Sequence, residues 1–244
     1  MLAAVRLLIL AILFILVGVF GCLFLILRPF HRNNTAIMAH AFGRMHRVIG
    51  LKLEIRVPPE VEKGGPFVFI ANHQNSYDIL TMSRSLLPGT VSIGKKSLKW
   101  VPFFGQVYWL AGNILIDRKN SGKAHGTISS AANAIKERQL SVWMFPEGTR
   151  SYGKRLLPFK TGAFHTALQA DVPIVPVCMS STHDQVKLNR WRNGTVILEM
   201  MAPISTEGLT KNDVRPLMQQ CHEQMDAKIA ELDAEVAARD KAIA

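Results

Sequence analysis

An α/β fold is what this sequence predicts: a single domain with a mixed, partly parallel sheet flanked by helices, plus an N-terminal membrane-associated helical hairpin. Two observations point there. Between residues 51 and 200, short apolar or alternating runs are separated by helix-length stretches, the order expected of strands wound with helices. Ahead of them, residues 7–27 carry no charged side chain, and a helix of that length is about 30 Å long, enough to cross a hydrocarbon core. The expected boundary falls near residue 50. A membrane anchor and interfacial helix occupy 1–50, and the α/β domain, ending in a long amphipathic helix, occupies 51–244.

The apolar run exceeds the roughly 7–15 residues of a cleaved signal peptide and lacks its small-residue ending, so it reads as a retained anchor. Residues 35–49 follow with Ile37, Met38, Ala41, Phe42, Met45 and Val48 near helical spacing and Arg44, His46 and Arg47 between them. That pattern suits a helix lying in the interface. Arg28, Arg32, Arg44 and Arg47 follow the apolar run and only Arg6 precedes it, so a spanning first helix would leave the remainder cytoplasmic.

Residues 51–57 alternate strictly, as a strand with one wet face does. After a turn at 58–66, residues 67–71 suit a buried strand. A helix at 76–86, a strand at 91–94 and an amphipathic, aromatic-rich stretch at 95–110 come next. Strands are expected at 113–117, 141–145, 172–179 and 195–200, and helices at 124–139 and 162–170. From Asp213 a long helix carries the apolar line Val214, Leu217, Met218, Cys221, Met225, Ile229, Leu232 and Val236.

Lys plus Arg outnumber Asp plus Glu by 29 to 18, a net charge of +11. The basic residues flank apolar segments and no nucleic-acid module is recognisable, which favours lipid over nucleic acid as partner. Cys22, Cys178 and Cys221 are odd in number and far apart, matching neither a disulfide framework nor a zinc spacing.

Chemistry concentrates where strands end. Asn72-His73-Gln74-Asn75-Ser76-Tyr77-Asp78 follows the strand at 67–71. His73 and Asp78 would diverge on a regular helix. They meet if His73 is in the loop and Asp78 in the first helical turn, with Asn75 as its cap. A carboxylate holding a neutral imidazole makes a general base; the same pair could merely tie a loop to a helix. Phe145-Pro146-Glu147-Gly148-Thr149-Arg150-Ser151 follows the next such strand. Gly148 suits a positive φ with converging amides, Thr149 adds a hydroxyl, and Arg150 offers a fork matched to phosphate oxygens. Glu147 would orient an arginine or accept from a hydroxyl. Arg118 leaves a strand end, either toward the same side or into a surface ion pair. Lys160 precedes a helix, as a phosphate ligand or a solvated lysine.

His73-x4-Asp78, then Ile116-Asp117-Arg118, then the Phe145–Arg150 motif, then Val172-Pro173-Ile174-Val175-Pro176, in that order, resemble the glycerolipid acyltransferase family. The resemblance implies that His73 and Asp78 are catalytic and that the second and third motifs bind the glycerophosphate of the acceptor. The fourth would line the acyl site. It also implies lysophosphatidic acid as acceptor, acyl-CoA or acyl-carrier protein as donor, no cofactor or metal, membrane phospholipid as surroundings, and a bacterial inner membrane with the site on its cytoplasmic face. Two rivals stand beside it: a serine-type lipid hydrolase using Ser76, and a non-catalytic protein binding anionic lipid. No G-x-S-x-G elbow supports the first.

Overall fold

The computed structural model describes residues 1–116 and 121–243. The apolar run is helix α1 (Leu2–Leu27), among the described residues the one helix long and apolar enough to cross a membrane. The chain then turns back into α2 (Asn34–Gly43), making a hairpin. Gly18 and Gly21 allow α1 to settle close to its neighbours. A Cβ on Gly21 would stand 2.3 Å from Met38 Cε, and one on Gly18 would stand 2.6 Å from Phe103 Cβ.

The helix expected over 35–49 stops being α-helical at Gly43 and ends in the 3-10 turn Arg44–Arg47. Met38, Phe42 and Met45, expected to meet lipid, are buried in the protein core instead. Polar groups explain why this face needs protein around it. Asn34 donates to Arg28 O, Thr35 donates to Ala111 O, and both side chains are buried.

Both ends of α1 are fastened to the α/β domain. Near its start, Arg6 is only 4% exposed, and its guanidinium donates to the backbone carbonyls of Leu188, Arg190 and Trp191 at 3.0, 2.5 and 2.8 Å. Three carbonyl oxygens thus supply the acceptors that a buried guanidinium needs. Just past its end, Phe30 N donates to Leu110 O, and Arg138 donates to Phe30 O. The outer side of α1 presents Leu8, Ile12, Phe20, Leu23 and Ile26, all exposed.

The remaining elements are β1 (Lys52–Arg56), the short α3 (Pro59–Glu62), β2 (Val68–Ala71), α4 (Asp78–Thr81), β3 (Thr90–Lys95), α5 (Phe104–Leu110), β4 (Ile114–Ile116), α6 (Ser121–Arg138), β5 (Ser141–Met144), α7 (Gly162–Ala170), β6 (Ile174–Met179), β7 (Thr195–Met200) and α8 (Val214–Ile243). Seven strands form one sheet in the order β1-β7-β6-β2-β5-β3-β4. All neighbours are parallel except β6 and β7. The expectation of a mixed, partly parallel sheet holds.

Helices cover both faces. Val68, Ile70 and Val142 pack with Ile135, Phe164 and Met225 from α6, α7 and α8. Phe69, Ala71 and Trp143 pack on the other face with Leu25, Phe42 and Val107 from α1, α2 and α5. Of the apolar line expected on α8, Val214, Leu217, Cys221, Met225 and Leu232 are buried, while Met218, Ile229 and Val236 pack at its margin. The helix expected over 76–86 is instead a single turn, α4, followed by the 3-10 turn Met82–Ser85. The 3-10 turn itself stops at Ser85, with Leu86 extended and Pro88 biasing Leu87 away from helix.

Candidate active site

Strands β2 and β5 are parallel neighbours, with Ile70 beside Met144, so the loops after them leave the same edge of the sheet. That places the His73 loop against the Phe145–Arg150 loop. Two backbone bonds staple them, Ser151 N to His73 O at 2.8 Å and Tyr152 N to Gln74 O at 2.9 Å.

His73 Nδ1 lies 2.6 Å from Asp78 Oδ2. Asp78, 5% exposed at the start of α4, also accepts from Gln74 N at 2.8 Å and Asn75 N at 3.3 Å. Asn75 Oδ1 in turn accepts from Tyr77 N at 2.9 Å. The capping box expected around Asn75 does not form: the helix begins at Asp78 with Tyr77 at its N-cap and no side-chain cap bond, and Asn75 and Asp78 instead close the loop just ahead of it. With Nδ1 held by the carboxylate, Nε2 is the ring nitrogen that Asp78 does not engage. The imidazole stacks on the Phe145 ring at a centroid distance of 4.2 Å and 20°, fixing its plane.

Glu147 does something other than expected. Its two carboxylate oxygens accept from His73 N at 2.6 Å and Leu157 N at 3.0 Å, and it is only 3% exposed. It ties the His73 loop to two points of its own β5–α7 loop, and it neither orients an arginine nor lines the cavity beside His73. Burial pushes its pKa up, against the pull of those two amides.

Gly148 takes the positive φ expected of it, +71°. The Lys160 side chain lies across it, and a Cβ at that position would stand 2.9 Å from Lys160 Nζ. Thr149, Arg150 and Lys160 are exposed around this turn. Arg150 Nη1 donates to Ser76 Oγ at 3.2 Å and to Tyr152 Oη at 3.3 Å. Ser76 and Tyr152 thus join the arginine, and sequence reasoning assigned neither to it. The β4 strand ends at Ile116, and Arg118 lies outside the described residues.

Beside His73 opens a cavity of about 420 Å3, within the range of ordinary ligand pockets. Its walls are mostly apolar, from Met38 and Phe42 on α2, Ile79 and Met82 below the dyad, and Phe104 and Val107 on α5; Ser76 and Arg150 also line it. Residues 172–177, which the resemblance places on the acyl site, are not among its walls. Strand β6 sits between β2 and β7, and every one of its six residues is buried in the sheet's own packing.

A paired imidazole and carboxylate thus stand at the mouth of an apolar cavity, with a cation on the rim. A family model described as acyltransferase matches residues 52–180, and the chain belongs to that family. It is 53% identical over 242 residues to the 1-acyl-sn-glycerol-3-phosphate acyltransferase of Escherichia coli, covering 99% of each chain. The enzyme of the same name from Haemophilus influenzae is 51% identical over 237 residues, covering 97% of this chain and 99% of that one. The human alpha form is 38% identical over 195 residues, 79% of this chain and 69% of its own. The crystal structure of the 1-acyl-sn-glycerophosphate acyltransferase from Thermotoga maritima shares the fold. Its TM-score is 0.72 at 22% identity, over 95% of this chain and 98% of that one.

Proposed function

We propose that this chain transfers a fatty acyl group from a thioester, acyl-CoA or acyl-carrier protein, to the free 2-hydroxyl of 1-acyl-sn-glycerol-3-phosphate, giving phosphatidic acid. The observation that carries the proposal is the His73–Asp78 pair opening onto an apolar cavity that Arg150 also lines. The cavity accepts the acyl chain, and Arg150 and Lys160 meet the acceptor's phosphate. His73 Nε2 takes the proton of the 2-hydroxyl as its oxygen attacks the thioester carbonyl carbon. Asp78 stabilises the imidazolium so formed. The tetrahedral intermediate then collapses, the carbon–sulfur bond breaks, and the leaving thiolate recovers the proton. Positioned general-base help contributes about 10²–10⁴ in rate, and holding two substrates together supplies much of the remainder.

A serine hydrolase would need Ser76 against the imidazole, whereas the bond made by Ser76 Oγ is with Arg150. Release of free thiol from an acyl thioester tests the proposal. It should depend on added lysophosphatidic acid and yield phosphatidic acid; thiol release unchanged without acceptor would favour hydrolysis.

For attachment, the reading is a monotopic one. Because both ends of α1 are fastened to the α/β domain, the helix lies along that domain with its exposed apolar side in the bilayer, and does not lead the chain across. The cavity then opens near the lipid surface from which both substrates' chains arrive. In a bacterial cell this is the inner membrane, entered from the cytoplasmic face.

A further inference from the structure

We infer that Tyr152 is a positioning residue of the acceptor site, holding the Arg150 guanidinium at the cavity rim and so setting the preference for a phosphorylated acceptor. The inference rests on the reading of Arg150 as the phosphate ligand. Residues 151–154 form a tight turn closed by Lys154 N donating to Ser151 O at 3.2 Å. Its two central residues have φ of +48° at Tyr152 and +84° at Gly153, the pattern of a type I′ turn. At the first of these, Asn, Asp or Gly is favoured, and a bulky L-residue is strained.

Nothing in the core compensates for that strain, since Tyr152 is 61% exposed. The staple to the catalytic loop uses only its backbone amide, which donates to Gln74 O. A glycine would make that bond equally well and without strain. The next position does demand glycine, because a Cβ on Gly153 would stand 2.4 Å from the His183 ring. What tyrosine alone adds at 152 is a phenol whose Oη accepts from Arg150 Nη1 at 3.3 Å, the nitrogen that also donates to Ser76 Oγ at 3.2 Å. Two oxygens therefore hold one guanidinium nitrogen of an otherwise exposed, rotamer-rich side chain. Strain kept at an exposed residue beside a site is what a positioning role looks like.

The test compares Tyr152→Phe, Tyr152→Gly and Arg150→Ala in the full-length, detergent-solubilised enzyme, with lysophosphatidic acid and with its phosphate-free analogue, monoacylglycerol. Tyr152→Phe removes only the hydroxyl and should raise the acceptor KM by about three- to tenfold, the size of one hydrogen bond, leaving donor KM and kcat unchanged. Tyr152→Gly should raise that KM at least as much while its melting temperature equals or exceeds that of the native chain. In an Arg150→Ala background the effect of Tyr152→Phe should vanish. A native acceptor KM in Tyr152→Phe, with Arg150→Ala still selective against the phosphorylated acceptor, overturns the inference alone. Equal losses on both acceptors in Arg150→Ala overturn the phosphate reading and the inference with it. A melting temperature that falls in Tyr152→Gly, alongside a native KM in Tyr152→Phe, would make the tyrosine merely structural.

Discussion

Replacing Asp78 with asparagine changes one atom and separates charge from shape. In the native chain Asp78 Oδ2 accepts from His73 Nδ1 at 2.6 Å and from Gln74 N at 2.8 Å. An asparagine oxygen at the Oδ2 position keeps both partners, because the backbone amide and the imidazole share that one atom. The ring therefore keeps its orientation and its Nδ1–H. What is lost is the charge that favours imidazolium, and a charge-assisted hydrogen bond contributes about 1.5–3 kcal/mol, or roughly ten- to hundredfold. The turnover number kcat should fall by about that factor. Because the amides of Gln74 and Asn75 keep an acceptor, the melting temperature should fall only slightly. The assay is continuous thiol detection with saturating donor and acceptor, alongside thermal unfolding in detergent. Turnover within a few-fold of native, in a folded variant, would show that the carboxylate serves only to fold the loop.

Further outcomes follow from other contacts. Glu147→Gln deprives one of two buried amides of its acceptor and should cost about 1–3 kcal/mol of stability, read as a lower melting temperature. Burial raises the Glu147 pKa, so the folded state holds that proton more tightly than the unfolded state. This contribution is complete below the unfolded pKa and is lost as pH rises through the folded one, so the native advantage over Gln should shrink across that interval. Arg150→Lys keeps charge but loses the fork, and should raise acceptor KM about ten- to hundredfold with donor KM little changed; equal effects on both substrates would mean that Arg150 holds the loop. Arg6→Leu leaves the carbonyls of Leu188, Arg190 and Trp191 without their donor and should lower the melting temperature, while alkaline carbonate still fails to extract the chain because the apolar side of α1 is intact. Ala39→Leu adds bulk to the cavity wall and should shift preference toward shorter acyl donors; an unchanged chain-length profile would place the acyl group elsewhere.

Local periodicity made the strands legible. Residues 51–57 alternate because Leu53, Ile55 and Val57 pack against the core while Glu54 and Arg56, on the other face, pair with Arg239 and Glu235, and 195–200 matched β7 residue for residue. The long amphipathic line on α8 was equally readable. Strand-end loops bearing His73, Asp78 and Arg150 were found because their side-chain chemistry is unusual there. What stayed hidden depended on distant neighbours. The amides that occupy Glu147 come from His73 and Leu157, and the carbonyls around Arg6 come from residues 182 to 185 positions away. No window of sequence shows either. Residues 172–177 are apolar for the same reason whether they wall a tunnel or fill a sheet, so only topology separates the two. The Tyr152-Gly153 pair did carry a signal, a turn dipeptide with its bulky member where a small residue is favoured, but its meaning required Arg150 beside it.

The central claim is that His73 removes the acceptor's proton in the chemical step. Single-turnover acyl transfer by His73→Ala, with donor and acceptor binding measured separately by equilibrium methods, tests it most directly. The account predicts a folded, membrane-attached protein that binds both substrates near normally and transfers the acyl group at least ~10²-fold more slowly. Transfer at a near-native rate by that variant would contradict it.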